Sequence, residues 1–160
     1  MKQSNPLSVT AEGEREIKIV REFDAPRQLI YDCHMKEELV RQWLLGPPGW
    51  TMPVCEIDAR VGGKYRYVWR KSAGEEMGMG GVFKEISEPE RIVSTQLFDQ
   101  DWTGGETLGT MVLTETNGRT KLEQIVLYPS KKAREGALST GMTQGMEMGY
   151  QKLDALLDSL

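Results

Sequence analysis

The segment KKAREGALSTGMTQGMEMGYQKLDALLDSL, residues 131–160, decides how the chain folds. It follows Pro129 and predicts one long helix that runs to the end of the sequence. At 1.5 Å per residue such a helix spans about 45 Å. A helix of this length crosses a whole β-sheet, so the preceding residues are expected to supply a sheet for it to cover.

The preceding residues, 54–128, show a period of two that is typical of strands. Gly62-Gly63, Glu88-Pro89 and Asn117-Gly118 are among the turn signals that divide this region into about six strands. The alternation is clearest in KYRYVWR, residues 64–70, where three aromatic rings fall on one face and basic side chains on the other. This region predicts an antiparallel meander with one covered face.

The N-terminal part predicts one strand and two short helices. Alternating apolar and charged residues indicate a half-buried strand that ends at Phe23, and a helix is expected to begin near Pro26. A second helix is expected at 37–44, before the Gly46–Gly49 turn. Residues 1–14, polar and with Pro6 and Gly13, predict a flexible tail, with a single domain at 15–160. This order of elements predicts an α+β fold, in which a curved antiparallel sheet wraps around the C-terminal helix.

Three glycines, Gly141, Gly145 and Gly149, lie four residues apart in the predicted long helix. Together they cost the helix about 3 kcal/mol relative to alanine, so the stripe needs a reason. Either another backbone approaches closely there, or the missing side chains leave open volume beside Met142 and Met146. The sequence leaves both explanations open.

The aromatic side chains predicted to face this helix also allow two interpretations. The set comprises Tyr65, Tyr67, Trp69, Phe83, Phe98, Trp43 and Trp50. An aromatic stripe on a strand usually belongs to a solid core. Opposite a helix that carries glycines, however, the same rings are suited to line an apolar cavity, where phenol and indole groups orient a guest.

Composition excludes several classes of protein. The chain has 160 residues, a net charge of −4 and 39% hydrophobic residues, which predicts one globular domain without membrane insertion. The sequence has no cluster of basic residues with interleaved aromatics, so a nucleic-acid partner is not expected. The N-terminus has no apolar signal segment, so a cytoplasmic location is expected. A monomer and a homodimer are both compatible with the sequence.

Candidate catalytic and metal-binding residues are few. His34 is the only histidine, and its neighbour Cys33 points in a different direction on a helix, so the two make a poor nucleophile pair. Cys33 and Cys55 lack the spacing of a zinc site or a disulfide framework and are expected to be reduced core residues. We therefore assign no catalytic residue, no metal and no cofactor.

Several stretches together closely resemble bacterial members of the activator of heat-shock protein 90 ATPase homologue-like family. This family belongs to the START and birch-pollen-allergen-like superfamily of helix-grip folds. The resemblance covers about 15–160 and rests on residues 17–32, 39–70, 81–98, 118–130 and 137–157. Its most specific pieces are the Gly46–Gly49 turn, the strand after Gly62-Gly63, and Pro89-Glu90-Arg91.

The resemblance implies a cavity between the sheet and the C-terminal helix, closed at one end by the two short helices. The residues it implies as cavity lining are Trp43, Trp50, Tyr65, Tyr67, Trp69, Phe83, Phe98, Met142 and Met146. Gly145 and Gly149 join this set from the glycine stripe. Gln124 stands where the family commonly has an apolar residue, and if it points inward it needs a polar partner such as a ligand.

Three functions remain open at this point. The first is a binding protein for a small hydrophobic or amphipathic ligand, either lipid-like or an aromatic metabolite. The second is a chaperone-ATPase activator, as the family name suggests, although the eukaryotic activators carry an additional N-terminal domain that a fourteen-residue tail does not replace. The third is a cyclase or hydrolase that uses Tyr65, Tyr67 or Gln124 in the same cavity.

Overall fold

A computed structural model describes residues 7–46, 48–100 and 105–160 of the chain. Its elements, in chain order, are β1 (Ser8–Glu12), β2 (Glu16–Phe23), α1 (Arg27–Met35), α2 (Glu37–Trp43), β3 (Trp50–Ile57), β4 (Lys64–Lys71), β5 (Glu76–Ser87), β6 (Arg91–Phe98), β7 (Thr107–Thr116), β8 (Arg119–Leu127), α3 (Lys131–Leu138) and α4 (Met142–Ser159). Pro47 of the predicted turn after α2 lies outside the described residues.

The strands form one antiparallel sheet in the order β1-β2-β8-β7-β6-β5-β4-β3. Strands β3 to β8 follow one another as a meander, and β2 crosses to pair with β8. Asn117 and Gly118, with φ of 53° and 77°, make the tight turn between β7 and β8 that their sequence predicts. The predicted α+β helix-grip fold is confirmed.

The alternation predicted for β4 is also confirmed. Tyr65, Tyr67 and Trp69 are buried on the inner face, whereas Lys64 and Arg70 are exposed. The largest apolar cluster joins this inner face to α1, α2 and the last three turns of α4. A smaller cluster lies under α3 and includes Ile17, Ile19 and Ala137. In the described part of the chain, no helix is long and apolar enough to cross a membrane.

The prediction of a flexible tail over residues 1–14 is wrong for Ser8–Glu12. These residues form β1, which pairs along its whole length with β2. The physical reason lies far along the chain: the Arg134 side chain, only 3% exposed, donates hydrogen bonds to the carbonyls of Glu12, Gly13 and Glu16 at 2.9–3.4 Å. Residues 1–6 of the predicted tail lie outside the described residues.

The single long helix predicted over residues 131–160 is wrong as well. The segment is two helices, α3 and α4, and the break falls at Ser139–Gly141. Gly141 has a φ of 76°, the left-handed conformation that only glycine adopts at little cost, so the helix cannot continue through it. The C-terminal helix α4 is therefore about 27 Å long rather than 45 Å.

Candidate functional site

A cavity of about 680 Å³ lies between the inner face of the sheet and α4. Its size falls within the range of roughly 300–1,000 Å³ that is usual for small-molecule sites. Side chains from α1, α2, strands β2 to β8 and α4 line it, so residues from almost the whole length of the chain contribute.

All twelve residues predicted as ligand-binding line this one cavity. They are Trp43, Trp50, Tyr65, Tyr67, Trp69, Phe83, Phe98, Gln124, Met142, Gly145, Met146 and Gly149. The structure thus places together every member of the predicted set. That they hold a ligand remains a proposal.

One wall of the cavity is a row of aromatic rings on neighbouring positions of β4 and β5. Ring centroids of Tyr65 and Tyr67 are 5.2 Å apart, those of Tyr67 and Trp69 are 5.8 Å apart, and Phe83 lies 5.4 Å from Tyr65. The indole nitrogens of Trp69 and Trp43 donate to the carbonyls of Leu44 and Cys33 at 2.8 Å. Because these two donors are already used, both tryptophans present apolar surface to the cavity.

The opposite wall is the first half of α4, which carries Gly145 and Gly149. A methyl group added at either glycine would meet no atom within 4 Å. Close packing of another backbone, one of the two explanations that the sequence left open, is therefore absent there. The glycines border open volume, together with Met142 and Met146.

Helix α4 is held in place by a buried cation. Arg21 on β2 is 2% exposed, and its guanidinium donates to Glu147 at 3.1 Å and to Asp154 at 2.8–2.9 Å. Its positive charge also lies over the rings of Phe23 and Tyr150. These hydrogen bonds raise the pKa of Arg21 against the opposing effect of burial, so the side chain stays charged.

The floor of the cavity carries polar side chains that alternate with glycines across neighbouring strands. Gln124 on β8, Ser94 on β6 and Tyr65 on β4 line the cavity. Gly109 on β7 and Gly81 on β5 lie between them. A Cβ at Gly81 would collide with the Thr95 carbonyl oxygen and come within 2.8 Å of the Tyr65 ring, so this position requires glycine. A Cβ at Gly109, in contrast, would lie 3.4 Å from the Gln124 amide nitrogen.

The two tyrosines of this wall differ in their hydrogen bonding. The Tyr65 hydroxyl donates to the Thr95 carbonyl at 2.6 Å, whereas the Tyr67 hydroxyl has no partner among the described residues. Burial raises the pKa of Tyr65 to about 12 and that of Tyr67 still further. Both phenols are protonated at neutral pH, so they can donate hydrogen bonds but do not serve as phenolate bases.

Sequence analysis missed His34 as a lining residue. His34 borders the cavity, 5.0 Å from the Trp43 ring, and its Nδ1 lies 2.8 Å from the carbonyl oxygen of Ile30. Because a carbonyl only accepts, Nδ1 carries the proton, and burial lowers the pKa of the ring. His34 is therefore neutral at pH 7. The α1 periodicity could not show which way this side chain points.

The cavity wall carries no formal charge within the described part of the chain. The charged ends of Lys, Arg, Asp and Glu lie elsewhere, and His34 is neutral. Residues 7–46, 48–100 and 105–160 contain no group of three His, Cys, Asp or Glu side chains placed to hold a metal ion. Burial raises the pKa of Cys33 and Cys55 to about 11, so both are protonated thiols at neutral pH.

Comparison with known proteins gives a family and a set of structural relatives. The family model described as "Activator of Hsp90 ATPase homolog 1-like protein" matches residues 24–158. No curated protein gives a significant match.

Solved structures from several bacteria share the fold. A protein from Rhodobacter sphaeroides is 28% identical, has a TM-score of 0.90, and the match covers 96% of this chain and 99% of that one. A protein from Mycobacterium smegmatis, 23% identical, has a TM-score of 0.82 with coverage of 95% and 97%. A third, from Chromobacterium violaceum, is 26% identical with a TM-score of 0.72 and coverage of 89% and 96%.

Proposed function

The chain belongs to the activator of Hsp90 ATPase homolog 1-like family, and from that premise we propose that it binds a small hydrophobic or amphipathic molecule between its sheet and α4. A lipid-like compound and an aromatic metabolite are the two classes of guest that this site suits. The molecule would be held without covalent chemistry.

The observation that carries the proposal is the open volume beside Gly145 and Gly149. A solid core would fill about 680 Å³ with side chains, because protein interiors pack about as densely as organic crystals. This chain instead has glycines where α4 borders the space and large rings on the sheet opposite. Such an arrangement lowers helix stability and is explained if a guest supplies the missing contacts.

The test is binding of the neutral fluorophore N-phenyl-1-naphthylamine, which emits strongly only in apolar surroundings. We expect saturable emission with the wild-type protein and at least about tenfold weaker binding with Gly149→Phe, because the new ring occupies the open volume. Met148→Phe, which adds a similar ring at a residue that is 41% exposed on α4, is the matched control and should bind as the wild type does.

Saturable binding that Gly149→Phe leaves intact would place the fluorophore elsewhere and contradict the proposed site. Absence of any binding by the wild type would contradict the function itself. Thermal unfolding of both variants checks that the helix still forms.

Family membership favours a second candidate, the stimulation of a chaperone ATPase. The family description names this activity. An ATPase assay with a bacterial chaperone of the Hsp90 type separates the two functions, since a protein that only binds small ligands leaves the turnover rate unchanged. The Gly149→Phe variant refines the result: a stimulation that it abolishes depends on the cavity, and one that it leaves intact uses the outer surface.

A further inference from the structure

We infer, on the premise of the proposed function, that the guest is an uncharged molecule with hydrogen-bonding groups, and that Gln124 and Tyr67 are among the residues that recognise those groups. This assigns a chemical class to the ligand and a specificity role to two side chains. The inference rests on the charge of the cavity wall and on the hydrogen-bonding state of its polar atoms.

An anionic head group would lose its hydration in this cavity without gaining a counterion from the residues that the structure describes. The buried cation Arg21 already pairs with two carboxylates and does not line the cavity. Arg41 on α2 donates to the carbonyls of Met52 and Cys55. His34 lines the cavity but is neutral. Burying an unpaired ion costs far more than burying a neutral polar group, so free fatty acids and other carboxylates are poor guests.

A cationic head group meets a similar penalty. No carboxylate lines the cavity in the described part of the chain, and Glu147 and Asp154 are engaged by Arg21. The faces of the aromatic rings and neutral oxygens such as that of the Gln124 amide remain to attract positive charge, and each such contact recovers a modest part of the lost hydration. A neutral molecule avoids both costs.

Gln124 supplies both a donor and an acceptor to the guest. Its side chain is half-buried on the inner face of β8 and lies over Gly109, where no Cβ obstructs it. Within the described ranges no residue pairs with its amide, although every fully buried side-chain nitrogen and oxygen there has a partner. The amide therefore reaches the open space of the cavity that Gln124 lines.

Tyr67 supplies a second, unpaired donor. The side chain is 9% exposed, and among the described residues nothing accepts from its hydroxyl. By the same reasoning this hydroxyl reaches the cavity, which Tyr67 lines. Tyr65 lies two residues earlier on the same face. Unlike that of Tyr67, its hydroxyl already donates to the Thr95 carbonyl. Because the Tyr67 hydroxyl is accessible and no described residue accepts from it, a ligand oxygen can accept its hydrogen bond in place of water.

The first experiment compares three guests with the same twelve-carbon chain at pH 8: dodecanamide, dodecanoate and dodecyltrimethylammonium. Each is titrated against protein loaded with N-phenyl-1-naphthylamine, and its displacement constant is measured. We expect dodecanamide to displace the fluorophore at concentrations about tenfold or more below those needed for either ion.

Equal or tighter binding of either charged chain, with the fluorophore binding normally, would overturn the inference and leave the proposed function standing. Failure of the fluorophore to bind at all would overturn both. The two failures are therefore distinguishable in one titration series.

The second experiment tests the two residues with Gln124→Leu and Tyr67→Phe. Loss of one hydrogen bond should weaken dodecanamide about two- to tenfold in each variant, while the affinity for N-phenyl-1-naphthylamine stays within about twofold. Gln151→Leu on the exposed side of α4 and Tyr31→Phe in the core outside the cavity make the same chemical changes and should leave both affinities unchanged.

Equal weakening of the amide and the fluorophore would indicate a general loss of the cavity and would contradict a recognition role. An unchanged amide affinity would contradict it as well. Because the fluorophore reports an intact cavity in the same sample, a variant that misfolds is recognised directly.

Discussion

Helix α4 presents two stripes of residues that meet very different surroundings. The anchored stripe, Glu147, Tyr150, Leu153 and Asp154, packs on the core and pairs with Arg21. The open stripe, Met142, Gly145, Met146 and Gly149, borders the cavity. One helix therefore serves both as structural support and as a cavity wall, and the ion pairs that stabilise it lie in the anchored stripe.

The largest difference between the stripes should appear when a large side chain is truncated in each. Leu153→Ala removes a fully buried side chain from the core and should lower the free energy of unfolding by about 3 kcal/mol. Met146→Ala in the open stripe should lower it by only about 1 kcal/mol, because its side chain, although it contacts both apolar clusters, is half-buried and borders the cavity. Urea unfolding measures both, and equal losses would contradict the contrast.

A second effect concerns the charge that anchors the helix. Arg21→Met leaves Glu147 and Asp154 without their cation, and we expect a loss of about 2 kcal/mol of unfolding free energy. This is below the usual cost for a fully buried pair, since the two carboxylates are 24% and 34% exposed. Arg70→Met, which breaks an exposed pair with Glu76, is the control and should cost less than about 1 kcal/mol. Equal costs in urea unfolding would argue against an anchoring role.

The glycines of the predicted stripe should separate into two kinds. Gly149→Ala should raise the free energy of unfolding by about 0.5–1 kcal/mol, because alanine favours the helix and its methyl group meets open space. Gly141→Ala should lower it by about 1 kcal/mol, because Gly141 has a φ of 76°. Thermal unfolding measures both. A destabilised Gly149→Ala would reveal close packing at the open stripe.

The smallest effect concerns His34, the single histidine, at the cavity end of α1. The pKa of His34 is lowered in the folded protein, so the unfolded chain takes up a proton first as the pH falls below about 6.5. The wild type should therefore lose stability between pH 7 and pH 5, and His34→Gln should lose less over this interval. Urea unfolding at several pH values measures this loss, and parallel curves for the two proteins would contradict a neutral, half-buried His34.

Much of the fold could be predicted from the sequence because the pattern of neighbouring residues indicates each strand and the face that it buries. The alternation around Tyr65, Tyr67 and Trp69 identified an inward face without knowledge of any partner strand. The twelve lining residues followed from such faces and from the family resemblance. His34 was not predicted as a lining residue, because a single residue near the end of a nine-residue helix does not show by itself which neighbour it faces.

Two predictions failed where the local sequence does not decide the structure. Ser8–Glu12 has the composition of a tail, and its ordering depends on pairing with β2 and on Arg134, which is more than a hundred residues away. The break at Gly141 is a choice between two conformations that glycine adopts equally well, and helical spacing alone favoured the continuous helix.

The sequence by itself determined the strand meander that begins near residue 54, the inward face of β4 and turns such as Asn117-Gly118, because these depend on side-chain spacing and backbone preferences among neighbours in the chain. Only the tertiary structure decided that the glycines border open volume and that the described residues of the cavity wall carry no charge. The width of that space is the distance between two surfaces, and it is set by contacts such as Arg21 with Glu147 and Asp154, which join residues 126 and 133 positions apart. A pattern of neighbouring residues does not determine the separation between the sheet and α4.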